Sequence, residues 1–293
     1  MAKVVLGFPD YVMPNPAFAA VSFYGGSWQA SAPLSNLADP SFAAVARSTD
    51  CTGPNTQIYV DLGLIRDVQV LAVPKHNLTR AATFRMTCYT DSANSANTTL
   101  DTGFIPVYGQ TQDFNSSSWG NPSLYDGMIP LEDISLYPMP ILIVPPSSVS
   151  CRYWTIQFQD ANNPAGYIEV PRVWASAGYQ PRINMQYGAT LTNEDNSILQ
   201  QSMGGAEFFD PRPRRRVTRF TLPGLSDGEA MNFAVDIQTR LGITAQMFFV
   251  HDPADAANKH RRSFLCRMRS LSPLDYAAFG AASQAFELSE VIA

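Results

Sequence analysis

Apolar and polar residues alternate with period two over much of the first half of the chain. Ile58, Val60 and Leu62 alternate with Tyr59 and Asp61, and further on Phe84, Met86 and Cys88 alternate with Arg85, Thr87 and Tyr89. Such alternation predicts consecutive β-strands, each with one buried face. Gly63 breaks the first run, and Val68 to Val73 follows, apolar at both parities, which predicts a strand covered on both sides. Ile141 to Pro146 predicts another short buried strand. Before these, KVVLGF and the X-Pro steps at Met13-Pro14 and Asn15-Pro16 predict extended backbone, an arm or edge strand rather than a helix.

The pattern changes in the second half. Val217, Arg219 and Thr221 alternate with Thr218, Phe220 and Leu222, and Pro223-Gly224 turns the chain. Ser226-Asp227-Gly228-Glu229 then reads as a capping box, in which the serine hydroxyl reaches the Glu229 amide and the glutamate reaches back. Ala230, Phe233, Ala234, Ile237 and Leu241 recur at helical spacing, so one packed helix is predicted over about 227–241, ended by Gly242. Strands are expected at Ile243 to Val250, Arg261 to Leu271 and about Ala282 to Val291. The change of pattern near Gly178 to Arg182 suggests two domains, 1–180 and 181–293.

The composition fits a loop-rich β protein: 293 residues, 45% hydrophobic but only 15% charged, with 22 Pro and 18 Gly. A net charge of −5 argues against a general nucleic-acid binder. No stretch reads as a signal peptide or a membrane span. Cys51, Cys88, Cys151 and Cys266 are far apart and form no C-x-x-C pair, so free thiols in a reducing cytoplasm are expected. Of the 20 basic residues 17 are arginines, which fits ion pairing at interfaces and fits genomic base bias equally well.

No catalytic or cofactor motif stands out. His76, His251 and His260 lie outside any H-E-x-x-H or serine-elbow setting, and His251-Asp252 reads as a strand end capped by an Asp turn. No enzyme activity and no cofactor are expected, and Ca2+ in the first half is left open. Two groups are candidates for binding. Tyr108, Phe114, Trp119 and Tyr125 stand in polar loop sequence between Ser92 and Pro146, suited to a partner protein or to stacking on a sugar, or simply to covering the fold. Arg212, Arg214, Arg215, Arg216 and Arg219 form a run that could pair across a subunit interface or guard a strand edge.

Several ordered motifs carry a family resemblance. PLSNLADP, IYVDLG, the V-x-V-L strand, FRMTCYTD, then CRYWTIQF and YIEVPRVWA resemble, over roughly residues 30 to 178, the discoidin or coagulation factor 5/8 C-type domain. That resemblance implies a galactose-binding-like jelly-roll β-sandwich, although the usual disulfide of extracellular members does not map here. Residues 182 to 293, with LSDGEA, GITAQMFFVHDP and the ending ELSEVIA, resemble more loosely the α+β proteins of phage tails. The implied fold class is mainly β, a jelly roll followed by a β-rich α+β assembly domain. The implied role is a tail or baseplate subunit of a virion, made in the bacterial cytoplasm and forming a hexamer or trimer ring with other baseplate proteins. Adhesion to a host surface glycan is the alternative.

Overall fold

The computed structural model describes residues 3–13, 20–91, 97–110, 127–129, 131, 134 and 139–292. Its architecture is mainly β, built on two large sheets. One sheet runs in the order Ser22–Tyr24, Ile58–Val68, Val149–Gln159, Thr83–Tyr89, Thr98–Asp101, with Ile105–Pro106 also against Thr83–Tyr89. The alternation read from the sequence fixes its faces: Ile58, Val60, Trp154, Ile156, Met86 and Cys88 point into the first core. Gly63 does not end its strand. The strand continues to Val68, and the chain between Asp61 and Arg66 bulges opposite Arg152, leaving Leu64 and Ile65 exposed.

The second sheet has ten strands and crosses the change of pattern near residue 180. Its order is Thr190–Glu194, Arg215–Leu225, Ala281–Glu290, Ser263–Met268, Gln246–Val250, Val5–Asp10, Trp174–Tyr179, Val70–Val73, Ile141–Ile143, with Leu274–Ala278 on Ala281–Glu290. The expected arm or edge strand at the start of the chain is therefore an interior strand. Val5–Asp10 pairs on one side with Trp174–Tyr179 and on the other with Gln246–Val250, because its alternating apolar side chains find cover on both sheet faces. Gly7 permits the close approach: a Cβ there would lie 2.7 Å from the Ser176 hydroxyl.

Three cores result. The first fills the sandwich between the two sheets and takes Leu71 and Val73 from the strand Val70–Val73. Val70 and Ala72 of that strand, with Val5, Trp174, Phe248, Val250 and Leu265, form another core on the opposite sheet face, shared by both halves of the chain. Cover on both sides of Val70–Val73 is thus as the sequence predicts. The remaining core lies between the second half of the sheet and the helix, where Ala230, Phe233, Ala234, Ile237 and Leu241 are all buried.

The helix occupies the predicted span, 227–241, but Ala230–Val235 is wound as a π-helix between two short α segments. Apolar spacing alone does not separate the two windings, since the same five residues face the core in either. The capping box is present: Ser226 Oγ accepts from the Glu229 amide, and the Glu229 carboxylate accepts from the Ser226 amide at 3.1 Å. That carboxylate also accepts from the Arg182 amide at 2.9 Å and the Tyr179 hydroxyl at 3.2 Å. Burial opposes its ionisation, yet these donors together hold its pKa below the usual carboxylate value. Tyr179 stacks on Phe233, so the end of a first-half strand is fastened to the helix start. Gly242 ends the helix at φ +51° and ψ −144°, positive in φ but outside the left-handed helical well that was expected.

Candidate functional site

His76 accepts from the Leu78 amide at Nδ1 (3.2 Å) and so donates from Nε2 to the Met139 carbonyl (2.9 Å). Burial pushes its pKa down to about 4, which keeps that single neutral tautomer. It lines a cavity of about 310 Å³ with Lys75, Asn77, Tyr108 and Met139. The Asn77 side chain is used between the Tyr167 carbonyl and the Glu169 amide, so much of the cavity's polar lining already serves the fold. At His251 the following Asp252 accepts from the Ala254 amide at 2.9 Å, the Asp-capped turn that was expected. Among the described residues no group of three or more His, Cys, Asp or Glu could hold a metal ion. All four cysteines are free and buried.

Of the four loop aromatics, Phe114, Trp119 and Tyr125 lie outside the described residues. Tyr108 is buried in the first core with 4% exposure and donates its hydroxyl to the Leu78 carbonyl at 3.3 Å. Its ring is part of the packing and offers no open face to a sugar.

The arginine run does not guard a strand edge, because Arg215–Leu225 is paired on one side with Thr190–Glu194 and on the other with Ala281–Glu290, and its acidic partners come from the same chain. The strands 215–225 and 263–268 are not neighbours, because Ala281–Glu290 runs between them and supplies carboxylates to both. Arg216 is mostly buried, pairs with Glu290, donates to the His260 carbonyl and lies over the Phe264 ring. Arg212 pairs with Asp210 at 3.4 Å and Arg214 with Asp195 at 3.0 Å. The Ser197 hydroxyl and amide, then Arg214, hold the Asp195 pKa down at about 2. Arg215, Glu194, Arg269, Glu287 and Arg219 form one continuous chain of alternating charges across the sheet face. The run thus finds its acids within the chain, and none of these five arginines depends on a neighbouring molecule for one.

Two surfaces stand out around this frame. The first is the hairpin Ile198–Gln201 and Glu207–Asp210, which among the described residues pairs with no other strand. All its strand residues are exposed, Phe208 at 63% and Phe209 at 65%, and Met203 stands fully exposed at its tip. Cross-strand partners share a face, so Leu199 and Phe209 lie on one side while Ile198 and Phe208 lie on the other. The second is the outer face of the first sheet. Register places Tyr24, Tyr59, Thr155 and Thr87 in one row, and Ser22, Asp61, Tyr153 and Tyr89 in the next; Tyr24 is exposed and Tyr59 and Tyr153 half-buried, while Thr155, Thr87 and Tyr89 are buried. Tyr24 and Tyr59 stack at 5.3 Å, and Arg152 grips both Asp61 oxygens while its guanidinium lies 4.9 Å from the Tyr153 ring centre.

No protein-family model matches this chain, and no curated protein matches it. Solved structures do resemble it. The family 32 carbohydrate-binding module of Clostridium perfringens NanJ, solved with galactose, is 10% identical, covers 53% of this chain and 92% of its own, and gives a TM-score of 0.35. CpGH89CBM32-4 of Clostridium perfringens is 13% identical with a TM-score of 0.36, covering 58% of this chain and all of its own (100%). A Ruminococcus gnavus GH29 fucosidase in complex with fucose gives 9% identity and a TM-score of 0.38, with 59% of this chain matched to 28% of that one. Likeness at this level says nothing about what this chain binds.

Sequence reasoning missed the buried ion pair that joins the halves. Arg172 and Asp10, with side chains 1% and 6% exposed, meet at 2.6 Å. Arg172 also donates to the Pro40 carbonyl at 3.1 Å and to the Gln246 side chain, whose amide donates to the same carbonyl at 3.0 Å. Burial raises the Asp10 pKa, and Arg172 acts against that rise. A signal was available, since Arg172 is the one basic residue within the otherwise mostly apolar IEVPRVWA. The tyrosine face was legible too, as the polar parity of strands whose apolar parity alone had been followed.

Proposed function

We propose that this chain is a non-enzymatic structural subunit of a phage or phage-like tail or baseplate, resident in the virion, which joins neighbouring subunits through the hairpin arm at 198–210. The observation that supports this reading is the arm itself. A two-stranded hairpin is marginal in water without a third strand or a cover, yet this one carries apolar side chains on both faces and at its tip. Large exposed apolar features of this kind mark protein contacts. With the arginine run paired internally, the apolar arm is the surface that favours such a contact. Light scattering of the purified protein is expected to report a defined oligomer, and a variant with residues 199–209 replaced by Gly-Gly is expected to be a folded monomer. A variant that assembles like the wild type would refute the role of the arm.

Adhesion to a host surface glycan is the second reading, and the tyrosine-bearing outer face of the first sheet favours it. Aromatic rings beside planar polar groups such as Asp61 and Arg152 suit sugar rings and their hydroxyls. Binding to a panel of immobilised neutral oligosaccharides is expected to fall at least about tenfold in Tyr59→Ala with Tyr153→Ala. Absence of binding by the wild type removes this reading.

A further inference from the structure

The strand Thr190–Glu194 ends the ten-stranded sheet, and its outer side is bare. Among the described residues it pairs with Arg215–Leu225 and with no other strand, and Thr190, Leu191, Thr192 and Asn193 are all exposed. At the opposite end of the sheet, Ile141–Ile143 is three residues long and two of them are buried. A bare edge offers a row of N–H and C=O groups to another strand, and natural edges are guarded against this by charge, by proline or by a bulge. Thr190–Glu194 holds its register without a bulge and contains no proline. Its one charge, Glu194, stands at the end and is already bonded to Arg215 and Arg269 of its own chain, while Leu191, nearer the middle, is 48% exposed.

This edge suits a copy of itself. When two identical strands pair antiparallel about a twofold axis through the sheet, the faces are kept and each residue meets one of the same parity. Thr192 against Thr192 is the register that uses all five residues. Thr190 then lies opposite Glu194 and Leu191 opposite Asn193, so the only charge on the edge meets a neutral threonine, whose own ladder partner is Arg219. No like charges face one another. The two Leu191 side chains fall on one face as diagonal neighbours, about 7–8 Å apart.

Resting on the self-assembly proposed above, we infer that two copies join edge to edge through Thr190–Glu194, antiparallel about Thr192, so that their ten-stranded sheets become one across a twofold axis. A ladder of five residues is short, and the arm completes the contact. The same register, carried on past Glu194, brings Tyr187 of the second copy to Ser197 at the root of the arm, beside the exposed Ile198; Tyr187 is itself 96% exposed. The edge supplies main-chain hydrogen bonds and the arm supplies apolar cover, so loss of the arm alone separates the copies.

The test uses the full chain and one exposed position, and thermal melts check that each variant folds. Thr192→Lys and Thr192→Glu each set two like charges opposite one another at the axis, and each is expected to weaken self-association by roughly tenfold or more in sedimentation. An equimolar mixture of the two is expected to recover much of the loss, because lysine then faces glutamate. Mild oxidation of Thr192→Cys is expected to give a disulfide-linked dimer, since directly opposite residues lie about 4.5–5.5 Å apart at Cα; the wild type, whose four cysteines are buried, is expected to give none. If Gly-Gly replacement of the arm yields monomers while the Thr192 variants assemble like the wild type and do not cross-link, the edge inference falls and the role of the arm stands. Dissociation by Thr192→Lys beside an arm replacement that assembles like the wild type supports the edge and refutes the arm. A wild type that is monomeric at every concentration overturns both.

Discussion

His76 and His260 are held neutral by the fold, each with its pKa pushed to about 4, mainly by burial and for His260 also by Arg261 and Arg216. In the unfolded chain both return to about 6.5. Between those values the unfolded state takes up protons that the folded state refuses, so stability falls as pH drops from about 6.5 towards 4 and levels off below. Over pH 7 to pH 5 the loss should be on the order of 1–2 kcal/mol per histidine. Urea midpoints measured from pH 7 to pH 5 are expected to decline. His76→Gln and His260→Gln should each flatten the decline, and a midpoint that does not move with pH over this range would contradict the buried neutral state. Side chains of this kind were visible in the sequence only as letters. Neither the burial of His76 nor that of Arg172 follows from its neighbours, because both depend on segments distant in the chain: Met139 for His76, Asp10 and Gln246 for Arg172.

At the scale of elements, legibility followed the strength of local signals. Strands with one buried face were read from their alternation, and the helix was read from its capping box and apolar stripe, since both patterns are set within a few residues. The hairpin arm was passed over although ILQQ and EFFD flank a Gly-Gly turn. Its apolar residues do not alternate cleanly, as they must serve two faces and no core of their own chain. The strand Leu274–Ala278 was missed for a related reason: it pairs only with Ala281–Glu290, at the margin of the sheet. Apart from Asp210, two residues before Arg212, the partners of the arginine run were beyond reach, since they depend on strand order and not on any strand's own sequence. Ala281–Glu290 and Thr190–Glu194 bring the carboxylates.

Across the whole molecule the change of residue pattern near 180 coincides with no gap in the hydrogen-bonded ladder. One sheet runs through it, a core draws on both sides of it, and Arg172, Asp10, Pro40 and Gln246 are knotted together inside it. Calorimetry is therefore expected to show a single unfolding transition, with calorimetric and van't Hoff enthalpies in agreement. Arg172→Ala, which strands the buried Asp10, should lower that one transition as a whole, by about 3–5 kcal/mol. Two resolved transitions, with only one displaced by the variant, would show that the halves unfold independently.

The interior position of Val5–Asp10 also bears on how the chain reaches its fold. Synthesised before both of its partners, it finds its ladder at Trp174–Tyr179 and then at Gln246–Val250. Contacts that distant close slowly, because the entropy of a long loop is lost before any bond repays it. Until then both edges of the strand are bare, and at high expression they are open to strands of other nascent chains. Yield of soluble protein should therefore depend on the rate of synthesis and on temperature more steeply than the stability of the finished molecule would suggest.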